Sequence, residues 1–457
     1  MKSHLHFMGI GGVGMSGLAR WYAADGYRVS GCDTSLSEEV ESLQDEGVAV
    51  DLEHNPAHVE GIDTLISTMA VPATHPEIGA AKAQGKRTLR RIELLAELLA
   101  EHKSVTVTGT HGKSTTTGMI ATLFLEAGTD PSVLVGGQLD VMGGNVRYGQ
   151  GERLIAEVDE SDPGFAYLSS DIAVITNLED DHIAGTFSER RNYHESLDDL
   201  ESATQHFAER ANHVLYCADW ASLEPLLQRD NALTYGLSEE ATYRAEVTEL
   251  RAMGSAFNFH TPDGCVEVNL HVPGEYNVQN AAAALAAAHL AGLGLETAAQ
   301  HLSTFTGIGR RWQRRGSVQG ALIIDDYAHH PTEVSVTLEA AKHTGRRVRA
   351  VLQPHRWVRT ARHWPALADA ASLADEIIVL DVYAAGEKAI PGISPELIVE
   401  RLREGGKAAS YHSAASAERY LAESLEDNDL VITLGAGDVW RVAEGIVRVR
   451  GGDDDSA

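Results

Sequence analysis

Cysteine is scarce in this chain. Cys32, Cys217 and Cys265 are odd in number, far apart and never part of a C-x-x-C pair. Neither a disulfide framework nor a thiolate zinc site is expected, and a reducing compartment fits. Long apolar runs are missing too. No stretch reaches the ~18 residues of a membrane span. The opening MKSHLHFMGIGG enters a strand without a signal-peptide core. The expectation is a cytoplasmic protein with no stable membrane insertion. Basic residues are few, 37 Lys and Arg against 66 Asp and Glu, for a net charge of −29. That balance argues against a nonspecific nucleic-acid binder, which needs a basic surface. Any anionic ligand must be held by local, focused positive groups. Lysine is absent altogether from 114 through 341.

What is present is organised around Val105–Thr117, VTVTGTHGKSTTT. Alternating β-branched residues read as a strand entering a buried sheet. The chain then turns through Gly109, Thr110, His111 and Gly112 into Lys113, Ser114 and Thr115, which open a helix. Strand, glycine turn with Lys and Ser, then helix is the layout of a phosphate-binding loop. Backbone N–H groups and the helix N-terminus surround an anion, the lysine reaches outer phosphates, and the hydroxyl holds Mg²⁺. The generic pattern wants a further glycine where Val107 stands. The alternative is a strand–helix turn that binds nothing.

At 457 residues, two to four domains are expected. The N-terminal segment reads as strand, glycine turn, helix, strand. Gly9, Gly11 and Gly14 satisfy G-x-G-x-x-G, Gly12 lies inside the turn, and Asp33 ends the second strand where a ribose-binding acid would sit. This says diphosphate more than nicotinamide, the alternative being a tight strand–helix turn with no ligand. His54 and His58 have helical metal-pair spacing, but Pro56 lies between them, so a solvated loop is expected. The stretch GAAKAQGKRTLRRIELLAELLAEH reads as helix and VGGQLDVMGGNVRYGQG as a glycine-rich loop.

Further on, Glu157, Asp159, Glu160 and Asp162 cluster at a strand end. One of them is expected to complete a Mg²⁺ shell, and a solvated turn is expected for most. DIAVIT reads as a buried strand leading to Asp181 and His182, which suggest a second metal-binding edge; the alternative is that His182 only caps the next element. Residues 242 to 271 read as hairpins of an inserted or appended sheet. Asn277 and Asn280 share one side of a long Ala-rich helix; the alternative for one of the two is simple N-capping. Arg310, Arg311, Arg314 and Arg315 suggest an anion clamp. A last doubly wound α/β segment gathers Asp326, Tyr327, His329, His330, Arg356 and Arg359 at strand ends, and GGDDDSA reads as a frayed acidic tail.

Taken together, GTHGKSTTT, EVDESD, NLEDDH, PGEYNVQNAAAA, GRRW, DDYAHHPTEV and QPHRWVRT resemble, in this order, the motifs of the Mur ligase family. The resemblance covers essentially the whole chain. It implies an α/β fold of three domains: a Rossmann-like UDP-sugar-binding domain over 1–99, a P-loop ATP-binding domain over 100–307, and a Rossmann-like amino-acid-binding domain over 308–457. It implies ATP and Mg²⁺ as cofactors, and UDP-N-acetylmuramate and L-alanine as small-molecule substrates, in a monomer or weak homodimer. By the same resemblance Lys113 contacts the outer phosphates, Ser114 and Glu157 hold one Mg²⁺, and His182 holds a second. Asn277 and Asn280 lie by the adenine, Arg311 and Asp326 reach phosphate and ribose, Tyr327 and His329 lie near the amino acid, and Arg356 and Arg359 clamp its carboxylate. His75 stands where the family often has Asn, and Ser114 where Thr is usual. The lysine gap removes the carbamylated lysine of later family members, which favours the alanine-adding branch. A nicotinamide oxidoreductase would leave the phosphate loop unexplained.

Overall fold

Buried parallel strands dictate the architecture. Segments such as Ser170–Ile175 and Asp429–Leu434 are apolar almost throughout because helices cover both faces of their sheets. The computed structural model describes residues 2–181, 183, 194–450, 453 and 454. The chain divides into two compact units: Met1–Arg244 with His260–Gly264 and Asn280–His301, and Ala245–Phe259 with Cys265–Gln279 and Leu302–Ala457.

The first unit holds a five-stranded parallel sheet in the order Ala49–Asp51, Arg28–Cys32, His4–Met8, Thr64–Ser67, Arg87–Arg90. The last strand corrects the single-helix reading of GAAKAQGKRTLRRIELLAELLAEH. Gly85 (φ +69°) ends the helix Pro76–Ala83, RTLR pairs with Thr64–Ser67, and a second helix runs over Arg91–Ala100. His75 caps the first of these helices, its Nδ1 accepting from the Glu77 N–H at 3.3 Å. That is the work an Asn does at such a position.

The same unit carries a second sheet, in the order Ala232–Gly236, Ala211–Cys217, Ser170–Ile175, Lys103–Thr108, Arg153–Glu157, Ser132–Leu139, Gly144–Arg147. The stretch read as a glycine-rich loop is its antiparallel edge, Ser132–Leu139 against Gly144–Arg147. The strand Tyr243–Arg251 begins by pairing in parallel with Ala232–Gly236, at Tyr235↔Tyr243 and Gly236↔Arg244. In the helix Glu275–Leu290 the stretch Ala281–Ala288 is wholly buried; alanines on every side let neighbours approach all round.

The second unit is built on a seven-stranded sheet in the order Ala408–Tyr411, Glu376–Val379, Arg347–Leu352, Asp429–Leu434, Ala321–Asp326, Gln313–Val318, Asp453–Asp454. Two apolar cores fill its two faces, one around Ile324, Leu338 and Ile432, the other around Ile323, Val431 and Ile446. Each fully buried aliphatic contributes roughly 1.5–3 kcal/mol. The expected frayed tail is corrected at its middle: Asp453 and Asp454 pair antiparallel with Ser317 and Gly316, because the outermost strand leaves an open edge there.

Candidate active site

The phosphate loop forms as its residues demand. The strand Lys103–Thr108 ends at Gly109 (φ +126°), where a Cβ would meet Thr176 and the backbone of Asn177. Gly112 (φ +81°) starts the helix Lys113–Glu126, and a Cβ there would stand 2.6 Å from Asn280 Oδ1. Only glycine fits either position without strain. Asn177 braces the loop: its backbone carbonyl accepts from Thr110 N–H at 3.0 Å and its side chain from His111 N–H at 2.7 Å. The His111 ring pairs with Glu179 at 2.7 Å, and its carbonyl accepts from Thr176 Oγ1 at 2.6 Å. The amides of Lys113 and Ser114, in the helix's first turn, have no partner within the helix. Thr115 is buried one residue further on.

Lys113 is held rather than dangling. Its Nζ donates to Gly109 O at 2.5 Å and Thr110 O at 3.1 Å, and faces Glu160 Oε2 at 2.7 Å. Burial favours its neutral form, but Glu160, Asp159 and Glu157 outweigh that and hold its pKa above the ordinary value. Glu160 and Asp162 are buried, which overturns the solvated turn expected for this cluster. Asp162 lies 3.5 Å from Arg91 and caps the short helix that follows. Glu157 accepts from Gly136 N–H at 2.6 Å and from the Ser114 hydroxyl, and its burial pushes its carboxyl up. Ser114 and Glu157 are thus brought together as expected, while His182 lies outside the described residues.

The asparagines divide. Asn280 packs on the loop, accepting from Thr116 Oγ1 at 3.2 Å. Asn277 donates to Pro273 O at 2.7 Å and so secures the start of its own helix; neither is an N-cap. In the N-terminal sheet, Gly9 (φ +75°) and Ile10 donate to Cys32 O, and Gly12 caps the helix Val13–Ala24. Gly14 leaves room for Arg91, whose Nη1 would be 2.9 Å from a Cβ. Asp33 accepts from Gly11 N–H at 2.9 Å and from Thr34 N–H at 2.7 Å, so its carboxylate shapes the turn.

In the second unit, Asp326 accepts from the N–H groups of Trp312 and Ala328, both at 2.8 Å. Burial raises its pKa to about 6, against the pull of Arg311. Arg311 lies over the Tyr327 ring at 4.8 Å. The four-arginine clamp is corrected: Arg310 and Arg315 pair with buried Asp325 at 3.2 and 3.5 Å, and Arg314 bonds Ser317. A strand neighbour with a buried carboxylate absorbs two of the four, while Arg311 lies 3.6 Å from Glu333 and beside Asp326. His329 contacts Tyr327 and His355, and His355 stacks on Tyr383 at 5.6 Å. Arg359 reaches His355 Nδ1 at 3.0 Å. Arg356 is engaged by Glu387 at 2.6 Å, and its φ of +66° sets it at the start of the helix Trp357–Ala371.

Three family models match the chain: the Mur ligase family catalytic domain over residues 4–103, the Mur ligase middle domain over 107–288, and the Mur ligase glutamate ligase domain over 310–437. The chain belongs to the Mur ligase family. It is 45% identical to the UDP-N-acetylmuramate–L-alanine ligase of Deinococcus radiodurans, covering 97% of this chain and 93% of that one. It is 39% identical to the protein of the same name from Carboxydothermus hydrogenoformans, over 96% and 95% of the two chains. The fold is similar to the UDP-N-acetylmuramate–alanine ligase of Thermotoga maritima, with a TM-score of 0.82, 28% identity, and 98% and 99% of the chains covered. This Mur ligase therefore has a three-domain α/β architecture. Sequence reasoning missed Glu160 as the partner of Lys113, and His355, Tyr383 and Glu387 beside the arginines. The one signal for the last three was their place in turns after buried strands. Among the described residues no helix is long and apolar enough to cross a membrane.

Proposed function

We propose that this Mur ligase joins L-alanine to the lactyl carboxylate of UDP-N-acetylmuramate in cytoplasmic peptidoglycan synthesis, with ATP as the phosphoryl donor. The sugar carboxylate attacks the γ-phosphate, giving an acyl phosphate and ADP. The alanine amine then displaces phosphate and leaves an amide. The observation that carries this reading is the half-buried Lys113 at a helix N-terminus, beside Ser114 and Glu157, in a chain so similar to L-alanine ligases over its length.

Joining two anions requires fixed positive charge where negative charge develops. Lys113 supplies it, released from Glu160 toward the outer phosphates. Ser114 and Glu157 suit Mg²⁺, an oxygen-seeking cation, because a half-buried carboxylate with a raised pKa gains from a cation. When bound, Mg²⁺ offsets the repulsion between triphosphate and carboxylate. We assign the turn of Gly9, Gly11, Gly12 and Gly14, with Asp33, to the UDP-sugar. Gly109, Thr110, His111, Gly112, Thr115, Asn277, Asn280, Arg311 and Asp326 go to ATP. Tyr327, His329, Arg356 and Arg359 go to L-alanine, with Arg356 exchanging Glu387 for the substrate carboxylate. His182 is given a second Mg²⁺. Monomer or weak homodimer is the expected state in solution.

Phosphate release with UDP-N-acetylmuramate, ATP and each amino acid in turn tests the proposal. L-alanine is expected to support turnover; turnover only with the tripeptide that a murein-peptide ligase uses would refute it. Glu157→Gln is expected to raise the Mg²⁺ concentration for half-maximal phosphate release by ~10-fold or more. An unchanged Mg²⁺ titration would remove Glu157 from the metal's shell.

A further inference from the structure

The histidines read as a solvated loop are not one. Pro56 does prevent an α-helix, but Asn55 caps a short 3₁₀ turn, Pro56–Val59, which turns His58 inward. His58 Nδ1 meets Glu77 Oε1 at 3.0 Å. Glu77, in the first turn of its helix, is fully buried, as is Cys32 at the end of its strand. Cys32 Sγ stands 3.6 Å from Glu77 Oε1 and 3.1 Å from His54 Nδ1. His6 completes the group from the neighbouring strand. It is 3% exposed, and its Nε2 makes no hydrogen bond, standing 3.5 Å from Glu77 Oε1. One ligand atom each from His6, Cys32, His58 and Glu77 lies within 4.8 Å of all the others.

We propose that His6, Cys32, His58 and Glu77 form a closed, structural Zn²⁺ site in the N-terminal sheet, with no part in the ligation chemistry. Four donors of mixed N, S and O type suit tetrahedral zinc, whose ligand atoms lie about 3.3–3.8 Å apart. The outer partners are those a zinc site requires. Ser30 Oγ holds His6 Nδ1 at 2.8 Å, Asp51 Oδ2 faces His58 Nε2 at 3.3 Å, and His54 attends the sulfur. Each histidine ligand therefore has its second nitrogen engaged, which aims the first. On binding, the Cys32 thiol gives its proton to solvent and the thiolate bonds the metal. Without a cation, burial and the nearby carboxylate keep that thiol protonated, its pKa well above the ordinary value. Four protein ligands leave no open position, so the metal would brace the fold. The site ties Cys32, whose carbonyl anchors Gly9 and Ile10, to the helix that carries Glu77.

The test uses the full-length protein, stripped with a chelator and titrated with Co²⁺. One equivalent is expected to give a tetrahedral visible spectrum and a near-ultraviolet thiolate-to-cobalt band, both displaced by Zn²⁺. The band is expected to persist in Cys265→Ser and disappear in Cys32→Ser. Ser30→Ala, which only loosens the aim of His6, is expected to weaken binding ~10-fold while keeping the band. Absence of a thiolate band in the unaltered protein, or its survival in Cys32→Ser, would overturn the proposal. Neither outcome depends on whether the protein ligates alanine.

Discussion

Lys113→Ala is expected to lower phosphate release by at least ~10³-fold, about 4 kcal/mol of transition-state stabilisation. The ammonium is the one permanently positive side chain in residues 109–115. In the proposed reaction the amides around it would bind ground state and transition state alike, whereas the lysine would meet charge that grows as the γ-phosphoryl group moves. A complication follows from the geometry. Removing the lysine leaves Glu160 buried without its cation, and breaking such a pair costs ~3–5 kcal/mol of stability. The paired change Lys113→Met with Glu160→Gln separates the two effects. It is expected to restore the melting temperature toward that of the unaltered protein while phosphate release stays low. Recovery of turnover in the pair would make the lysine a structural group only.

Arg349→Met is expected to destabilise the second unit by ~3–5 kcal/mol at neutral pH. The Arg349 side chain is 1% exposed, in the middle of the strand Arg347–Leu352. Its Nε donates to Glu376 Oε2 at 2.8 Å, its Nη1 to Asp429 Oδ2 at 3.2 Å, and its Nη2 to Ser424 Oγ at 2.9 Å. Methionine fills the volume but takes the buried cation from two buried carboxylates, leaving them the half-exposed Arg347 at 3.1 and 3.8 Å. Glu376 fixes the sign of the pH dependence. Burial raises its pKa, but bonds from Tyr420 and Arg349 outweigh this and hold it below the usual value. A carboxyl depressed on folding contributes stability above its unfolded pKa of ~4.3 and loses it as pH falls through the folded value. The deficit in the variant is therefore largest at neutral pH and shrinks in acid. Hydrogen exchange in a peptide spanning Arg347–Leu352 isolates this unit's opening from that of the rest. Equal exchange in variant and parent at neutral pH would show that the network contributes nothing.

Much of the site was legible in the chain because its causes are local. A glycine at positive φ, a lysine one residue later and a helix start need only neighbours in sequence, so the phosphate loop was readable. The acidic cluster was readable as a cluster and misread as solvated. Burial of Glu160 depends on Lys113, which belongs to another strand–helix unit. The arginines failed the same way: Arg310 and Arg315 looked free until Asp325 appeared beneath them. His54 and His58 show the opposite error. Proline correctly excluded an α-helix, but a 3₁₀ turn delivered the same residues to a buried acid.

The sequence by itself determined the order of strands, turns and helices around Lys113, and the family to which they belong. Both reside in short runs whose backbone preferences do not depend on distant contacts. The tertiary structure alone decided which charges pair with one another. Val107 pairs with Glu157 across adjacent strands, and that register sets an acid beside the phosphate loop. Pairing across a sheet joins residues that are remote in the chain, and in a low-dielectric interior the nearest opposite charge takes the partner.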